Sequence, residues 1–356
     1  MIRTSAGDLP RARSALRAFG PPALWGALAA TYELVCPLAR AEDLAARFLT
    51  GAVFCAAGAG YALHARTAVR RETRHLRQLA RAVQNALLHP LPDRLDGLAL
   101  AGGRRTAAHG AGVGGDLYEV LATEHGVRVV MGDVRGHGPA ALAAVAAVLG
   151  SFREAGHEEP RLAAVLHRLD RAFARHLAER ATRPGAAVSA AGEDFVTLLL
   201  LEIARDGRVL ALNCGHPWPY RLRALAGPCG TRGRAFPVTD ADPLPPLGPF
   251  PLPELLPPVN CGRLLPGEAL FLHTDGAVDA RDRHGRFFPL DVVLMDAIRS
   301  VPLCPEGVVR TVFHQLLRHT GGPPTDDVTL LVLRNDRPRT GPGPAGPVPR
   351  PAHRVI

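Results

Sequence analysis

Four short acidic motifs carry the chemistry of this chain. In order they are Val113-Gly114-Gly115-Asp116-Leu117-Tyr118-Glu119, Gly132-Asp133-Val134-Arg135-Gly136-His137-Gly138, Thr274-Asp275-Gly276 and Thr325-Asp326-Asp327-Val328-Thr329. Each sets an Asp at or beside the end of an apolar run, next to Gly or another Asp. Carboxylates brought together repel one another unless a cation or a set of donors compensates. Hard divalent ions with oxygen ligands are the natural partner. The Asp133 carboxylate and the Val134 carbonyl could face one ion, and the adjacent Asp326 and Asp327 are costly beside a buried strand without one. Two ions about 4 Å apart activate a bridging water and neutralise phosphoryl oxygens, which is the chemistry of phosphate-ester hydrolysis. A nucleophilic Cys in a phosphate-cradling loop and a P-loop are both missing, which argues against a Cys phosphatase or an NTPase. Gly114-Gly115-Asp116 also matches part of a cyclic-dinucleotide synthase motif, but Leu117-Tyr118 follows it and the other three motifs would have no role.

Strands must deliver these carboxylates. Leu98 to Ala101 reads as a first short strand. Leu117 to Leu121 and Val127 to Met131 read as a pair turning at Glu124-His125-Gly126, which leaves Asp133 in the turn beyond the second strand. Helices follow at 139–152 and 160–179, the latter with Leu162, Val165, Leu166, Leu169, Phe173 and Leu177 on one face. Residues 183–193 read as a small-residue loop. Phe195 to Ile203 and Val209 to Asn213 form a hairpin around Arg205-Asp206-Gly207. Residues 224–262, rich in Pro and Gly, promise little regular structure. Ala269 to His273 is a strand leading to Asp275, helices are expected at 290–300 and 305–319, and Val328 to Arg334 is the last strand. The Pro, Gly and Arg-rich tail 335–356 cannot bury apolar surface and is expected to be disordered. Many short strands with helix pairs between them predict an α+β domain over 93–334.

The chain has 356 residues and a formal charge of +9, and all its basic residues other than His are Arg. The Arg are scattered and aromatics are few, so nucleic-acid binding is not expected. The six Cys have no C-x-x-C spacing, which fits the isolated thiols of a reduced intracellular protein. Two apolar stretches, 21–38 and 48–63, are short for a bilayer span of about 20 residues. Arg nevertheless flanks them on both outer sides, the positive-inside pattern. The expectation is a membrane-anchoring helical hairpin over 1–66 with both ends cytoplasmic, then a linker helix over 67–92. A soluble helical pair is the competing reading.

The chain resembles the PPM-type metal-dependent Ser/Thr phosphatases, in the bacterial branch of sporulation stage II protein E and the RsbU-like sigma-factor regulators. The resemblance spans roughly Ala82 to Arg334. It rests on Gln84 to Pro92, the four acidic blocks, Gly215-His216-Pro217, Pro246-Leu247-Gly248 and Pro266-Gly267-Glu268. Glu119 stands where many members have Asp, Cys214 where many have Ala, and Leu117 replaces a common aromatic. The resemblance implies an αββα sandwich of two antiparallel sheets flanked by helices, with two Mn²⁺ or Mg²⁺ ions at the sheet edge. By motif position Asp116, Asp133, the Val134 carbonyl, Asp275 and Asp326 would be ligands and catalytic, and Asp327 either a ligand or a residue behind the ligands. His137 reads first as a loop residue and second as a proton donor to the leaving oxygen. The implied activity is that of a protein Ser/Thr phosphatase at the cell membrane with a cytoplasmic catalytic domain. Its implied substrate is a phosphorylated STAS-type anti-anti-sigma factor. A homodimer through the Gln84 helix fits the same picture, and a pseudophosphatase in the same partner-switching pathway is the alternative.

Overall fold

The computed structural model describes residues 31, 44–107, 114–136, 138–182, 194–227, 230–299 and 301–338. The chain divides into two compact units, residues 1–76 and 77–356. What is described of the first is Thr31 and part of α1 (Leu44–Leu87), a continuous helix of 44 residues. The stretch 48–63 is therefore helical, but it runs without a break into the Arg-rich segment that follows. Among the described residues no helix is long and apolar enough to cross a membrane. Within 48–63 Ala and Gly dilute the hydropathy, and Arg47 and Arg66 stand at its ends. The rest of the expected hairpin, including 21–38 apart from Thr31, lies outside the described residues.

The second unit is a sandwich of two antiparallel sheets. One sheet has the order β3-β4-β5-β6-β9, from Asp116–Thr123, Gly126–Val134, Val196–Ile203, Arg208–Cys214 and Val259–Arg263. The other has the order β1-β2-β11-β10-β7-β8, from Arg94–Leu95, Leu98–Arg105, Val328–Asn335, Ala269–His273, Tyr220–Gly227 and Gly230–Pro237. Leu98, Leu100, Val129, Met131, Leu199, Leu270 and Leu331 are among the residues that fill the space between the sheets. Each strand alternates its side chains, so the opposite faces carry a second apolar set. On the first sheet, helices α2 (Pro139–Glu158) and α3 (Leu162–Ala181) cover that set, with Phe152, Leu166 and Phe173 fully buried. On the second, α5 (Leu290–Ala297) and α6 (Pro305–Thr320) cover it around Phe271, Val312 and Leu316. Between β10 and α5 lies the short α4 (Asp275–Val278). The expected αββα sandwich is present.

Three details depart from the sequence reading. β4 does not end at Met131 but continues through Asp133 and Val134, because both pair with β5 at Thr197 and Val196. Residues 224–262 contain strand β8 and most of strand β9, together with the end of β7, although little order was expected there. The C-terminal segment keeps its order past 334. Asn335 donates to the Leu264 carbonyl at 2.8 Å, and the Arg337 guanidinium donates to the Ala204 carbonyl at 2.5 Å. Residues 339–356 and the expected loop 183–193 lie outside the described residues.

Candidate metal centre

The site is built where β3, β4, β10 and β11 approach one end of the sandwich. Asp116 opens β3, and the β3–β4 register sets it directly opposite Asp133. Directly paired residues of an antiparallel ladder point to the same face, so the ladder itself holds these two carboxylates together. Asp275 begins α4, one residue after β10 delivers Thr274. Asp326 and Asp327 stand immediately before β11.

Two threonines tie the sheets together here. Thr329 donates its hydroxyl to Asp116 Oδ2 at 2.5 Å, and Thr274 donates to the same oxygen at 3.2 Å. Thr274 Oγ1 in turn accepts the Thr329 N–H at 3.0 Å. Both threonines are fully buried. They link β3 of one sheet to β11 and to the residue that follows β10 of the other, and fix one oxygen of Asp116. Sequence reasoning did not assign these threonines a role, yet each sits inside a motif, in Thr274-Asp275-Gly276 and in Asp327-Val328-Thr329.

The electrostatics of the cluster favour a bound cation. Burial pushes the Asp116 carboxyl up to about 7, with Asp327 and Asp275 adding to the rise against the threonine hydroxyls. Burial, followed by repulsion from Asp116, Asp275, Asp326 and Asp327, pushes Asp133 up to about 9. Asp275 is raised by burial and then by Asp326, and Asp327 is raised by burial despite a hydrogen bond from the backbone. Five carboxylates thus sit within electrostatic reach of one another. A cation among them would return each to its charged form.

Glycines let the backbone close in around this cluster. A Cβ on Gly114 would lie 1.2 Å from Asp327 Oδ2. A Cβ on Gly115 would lie 2.0 Å from the Val134 carbonyl oxygen and 2.6 Å from Asp133 Oδ1. On Gly276 it would lie 2.0 Å from the Asp327 carbonyl oxygen. Asp327 Oδ1 accepts the Ala107 N–H at 2.8 Å, whereas its buried Oδ2 has no hydrogen-bond partner among the described residues. A buried oxygen left without a donor is costly unless something else, such as an ion, engages it. Asp326 is exposed and accepts the Asp327 N–H through Oδ1 at 2.7 Å. The fully buried Gln84 of α1 donates to the Gly114 carbonyl at 3.2 Å and so reaches the same loop.

Among the described residues no three His, Cys, Asp or Glu side chains have closed to the spacing that holds a metal. The donor set, the unpartnered Asp327 Oδ2 and the bare backbone at Gly114 and Gly115 fit hard divalent cations. The expected ligands Asp116, Asp133, Val134, Asp275, Asp326 and Asp327 all belong to this one region. His137 lies outside the described residues. The His216 backbone N–H donates to Asn213 Oδ1 and its carbonyl accepts from Asn213 Nδ2, both at 2.8 Å, which holds the turn after β6.

Comparison with known proteins agrees with this geometry. The family model for stage II sporulation protein E matches residues 123–336. That match begins after Asp116, so Asp116 rests on its position opposite Asp133. Among solved structures, the chain is similar to the RsbU and RsbW domains of Rv1364c from Mycobacterium tuberculosis. Identity is 24%, with 67% of this chain and 61% of that chain covered and a TM-score of 0.50. It is also similar to the SiaA-PP2C domain of Pseudomonas aeruginosa, at 19% identity, 76% and 98% coverage and a TM-score of 0.51. At these identities the likeness speaks for the fold, and the chain spans 61% of the length of the mycobacterial structure. No curated protein matches the chain by sequence. With a family match over more than half its length, on a two-sheet sandwich that gathers the acidic motifs at one end, the chain belongs to the stage II sporulation protein E family.

Proposed function

We propose that the protein hydrolyses phosphoserine or phosphothreonine monoesters on a protein substrate with the help of two divalent ions, Mn²⁺ or Mg²⁺. The observation that carries this reading is the cross-strand Asp116–Asp133 pair, with Asp275, Asp326 and Asp327 within electrostatic reach of it. Asp116, Asp133, the Val134 carbonyl, Asp275 and Asp326 would hold the ions, with Asp327 joining through its unpartnered oxygen. Bound there, the ions supply Lewis-acid neutralisation of the phosphoryl oxygens and an acidified water.

The chain's own residues set the geometry. Thr274 and Thr329 fix one oxygen of Asp116 and leave the other free for a ligand. Gly114 and Gly115 keep side chains out of the space beside Asp327 and Asp133. Gln84 restrains the loop before Asp116 from behind. A covalent route through sulfur is disfavoured at Cys214 and Cys261, since burial pushes their thiols up to about 12 and about 11.

By resemblance, the substrate is a phosphorylated STAS-type anti-anti-sigma factor, and its dephosphorylation would act in sigma-factor regulation. Placement at the cytoplasmic face of the cell membrane is supported by the Arg-flanked apolar stretches of the N-terminus. A homodimer through α1 would use exposed positions such as Val83, since Gln84 is turned into the catalytic unit. The test of the substrate is phosphate release from a phosphoserine STAS-domain protein by the full chain with Mn²⁺. Release that EDTA stops supports the reading. Tight binding of the phosphoprotein without release points to the pseudophosphatase alternative.

A further inference from the structure

The outer strand β1 covers only the start of β2. It pairs with Leu98 and Ala99, and the Leu100 N–H donates to the Asp93 carbonyl at 2.9 Å. Strand alternation sends the N–H and C=O of Gly102 and Arg104 to that same side. No described strand pairs with β2 there, so among the described residues the edge is free over its second half. Gly102 is exposed.

Beside this free edge lies a trough. It consists of two adjoining clefts of about 470 and 360 Å³ that share Arg104, Arg105 and Leu317. The larger runs along α6, with Val309 and Phe313 in its lining. Gly103 permits this packing, since a Cβ there would lie 2.7 Å from the Phe313 ring. The smaller cleft ends at Pro323 and Pro324, two residues before Asp326. The trough thus leads from the free strand edge to the loop that carries two of the candidate ligands.

Its lining is basic. Arg104, Arg105, Arg310 and His314 stand against the single carboxylate of Glu306. None of the three arginines forms an ion pair among the described residues, although much of the chain's other arginine does, as at Arg128, Arg153 and Arg334. Two of them are held in place by neutral contacts. Arg105 stacks over the Phe313 ring at 5.3 Å, and Arg104 donates to Asn85 Oδ1 at 3.3 Å.

We propose that this trough receives an extended, acidic stretch of the phosphoprotein substrate, laid along the free edge of β2, so that the phosphorylated residue is presented at the Asp326–Asp327 loop. The inference rests on the phosphatase reading. Backbone pairing to a strand edge gives affinity without sequence demand, and the arginines then select acidic side chains. The occupant is a substrate segment because the trough ends two residues short of the Asp326–Asp327 loop and its charge is opposite to that of an acidic peptide.

Two readouts test it on the full chain. The first is the fluorescence anisotropy of a short labelled phosphoserine peptide rich in Glu and Asp, beside its Gln and Asn counterpart. The second is turnover of the same peptides and of p-nitrophenyl phosphate with Mn²⁺. Arg310→Glu combined with Arg105→Glu is expected to weaken the acidic peptide about tenfold and to raise its KM in step. The neutral peptide and p-nitrophenyl phosphate should be unchanged. Equal binding of both peptides by the wild type would overturn the proposal, as would a variant that loses p-nitrophenyl phosphate turnover as well. So would a variant that changes only the sedimentation of the protein, which would mark the face as a contact between copies. A wild type that binds the acidic peptide selectively but turns over nothing would sink the phosphatase reading and leave the trough standing.

Discussion

At the residue scale, the account depends on how closely the backbone approaches the carboxylates. Gly114→Ala places a methyl 1.2 Å from where Asp327 Oδ2 now lies, which Asp327 can answer only by swinging away. Mn²⁺ affinity measured by titration calorimetry should fall at least about tenfold while circular dichroism stays native. Thr329→Val removes the 2.5 Å bond to Asp116 Oδ2 and should lower Mn²⁺ affinity by roughly 10- to 100-fold, whereas Thr329→Ser should retain most of it. The aspartates were legible in the sequence because four motifs repeat one chemistry. The threonines were not, because a Thr at the edge of a strand is also an ordinary strand residue. Only the fold shows Thr274 and Thr329 meeting on one oxygen of Asp116, 158 and 213 residues away in sequence.

At the scale of elements, the helices are locked onto the sheets by buried arginines as well as by apolar packing. Arg128 of β4 is fully buried and donates to Glu202 of β5 at 3.0 and 2.7 Å. It also donates to the carbonyls of Gly156, Glu159 and Pro160 at the end of α2, at 3.0, 2.6 and 3.1 Å. Arg128→Ala strands Glu202 and three carbonyls and should destabilise the protein by about 3–5 kcal/mol, read from urea denaturation. Helix α3 was legible from its apolar face and the start of α2 from its run of Ala and Val. The hairpin β7–β8 was not, because β8 is an edge strand and has no buried alternation to display. Its sequence, Gly230 to Pro237, is mostly Gly, Arg and Thr. Gly233 is needed because a Cβ there would lie 2.4 Å from the Met295 carbonyl of α5. The extension of β4 through Asp133 escaped for a related reason: a polar residue ended the apolar run, while its cross-strand partners kept the ladder going.

At the scale of the whole molecule, folding and ion binding are linked. Gathering five carboxylates at one end raises the free energy of the ion-free fold, and ions that bind only the folded state return it. At about a hundred times the dissociation constant, Mn²⁺ should add about 2.7 kcal/mol and raise Tm by several degrees in a thermal melt. The pH dependence has two opposing parts. Burial, with the neighbouring His273 ring adding to it, pushes His216 down to about 3. The unfolded chain therefore takes up that proton first, and the stability from neutral His216 is complete above about pH 6.5 and falls as pH drops toward 3. Asp116 and Asp133, raised by burial, act in the other sense, so that without ions stability is lost as pH rises through about 7 and about 9. Comparing wild type with His216→Gln isolates the histidine. The difference in stability between them should shrink by up to about 1.4 kcal/mol per pH unit on acidification below 6.5.

The central claim is that the gathered aspartates form a metal-dependent phosphatase centre. Its most direct test is p-nitrophenyl phosphate hydrolysis by the full chain in Mn²⁺, Mg²⁺ or EDTA, beside Asp275→Asn. The account predicts turnover that requires a divalent ion, stops in EDTA, and falls at least about a hundredfold in the variant. Folded protein that turns over in EDTA, or that shows no turnover in either ion, would contradict it.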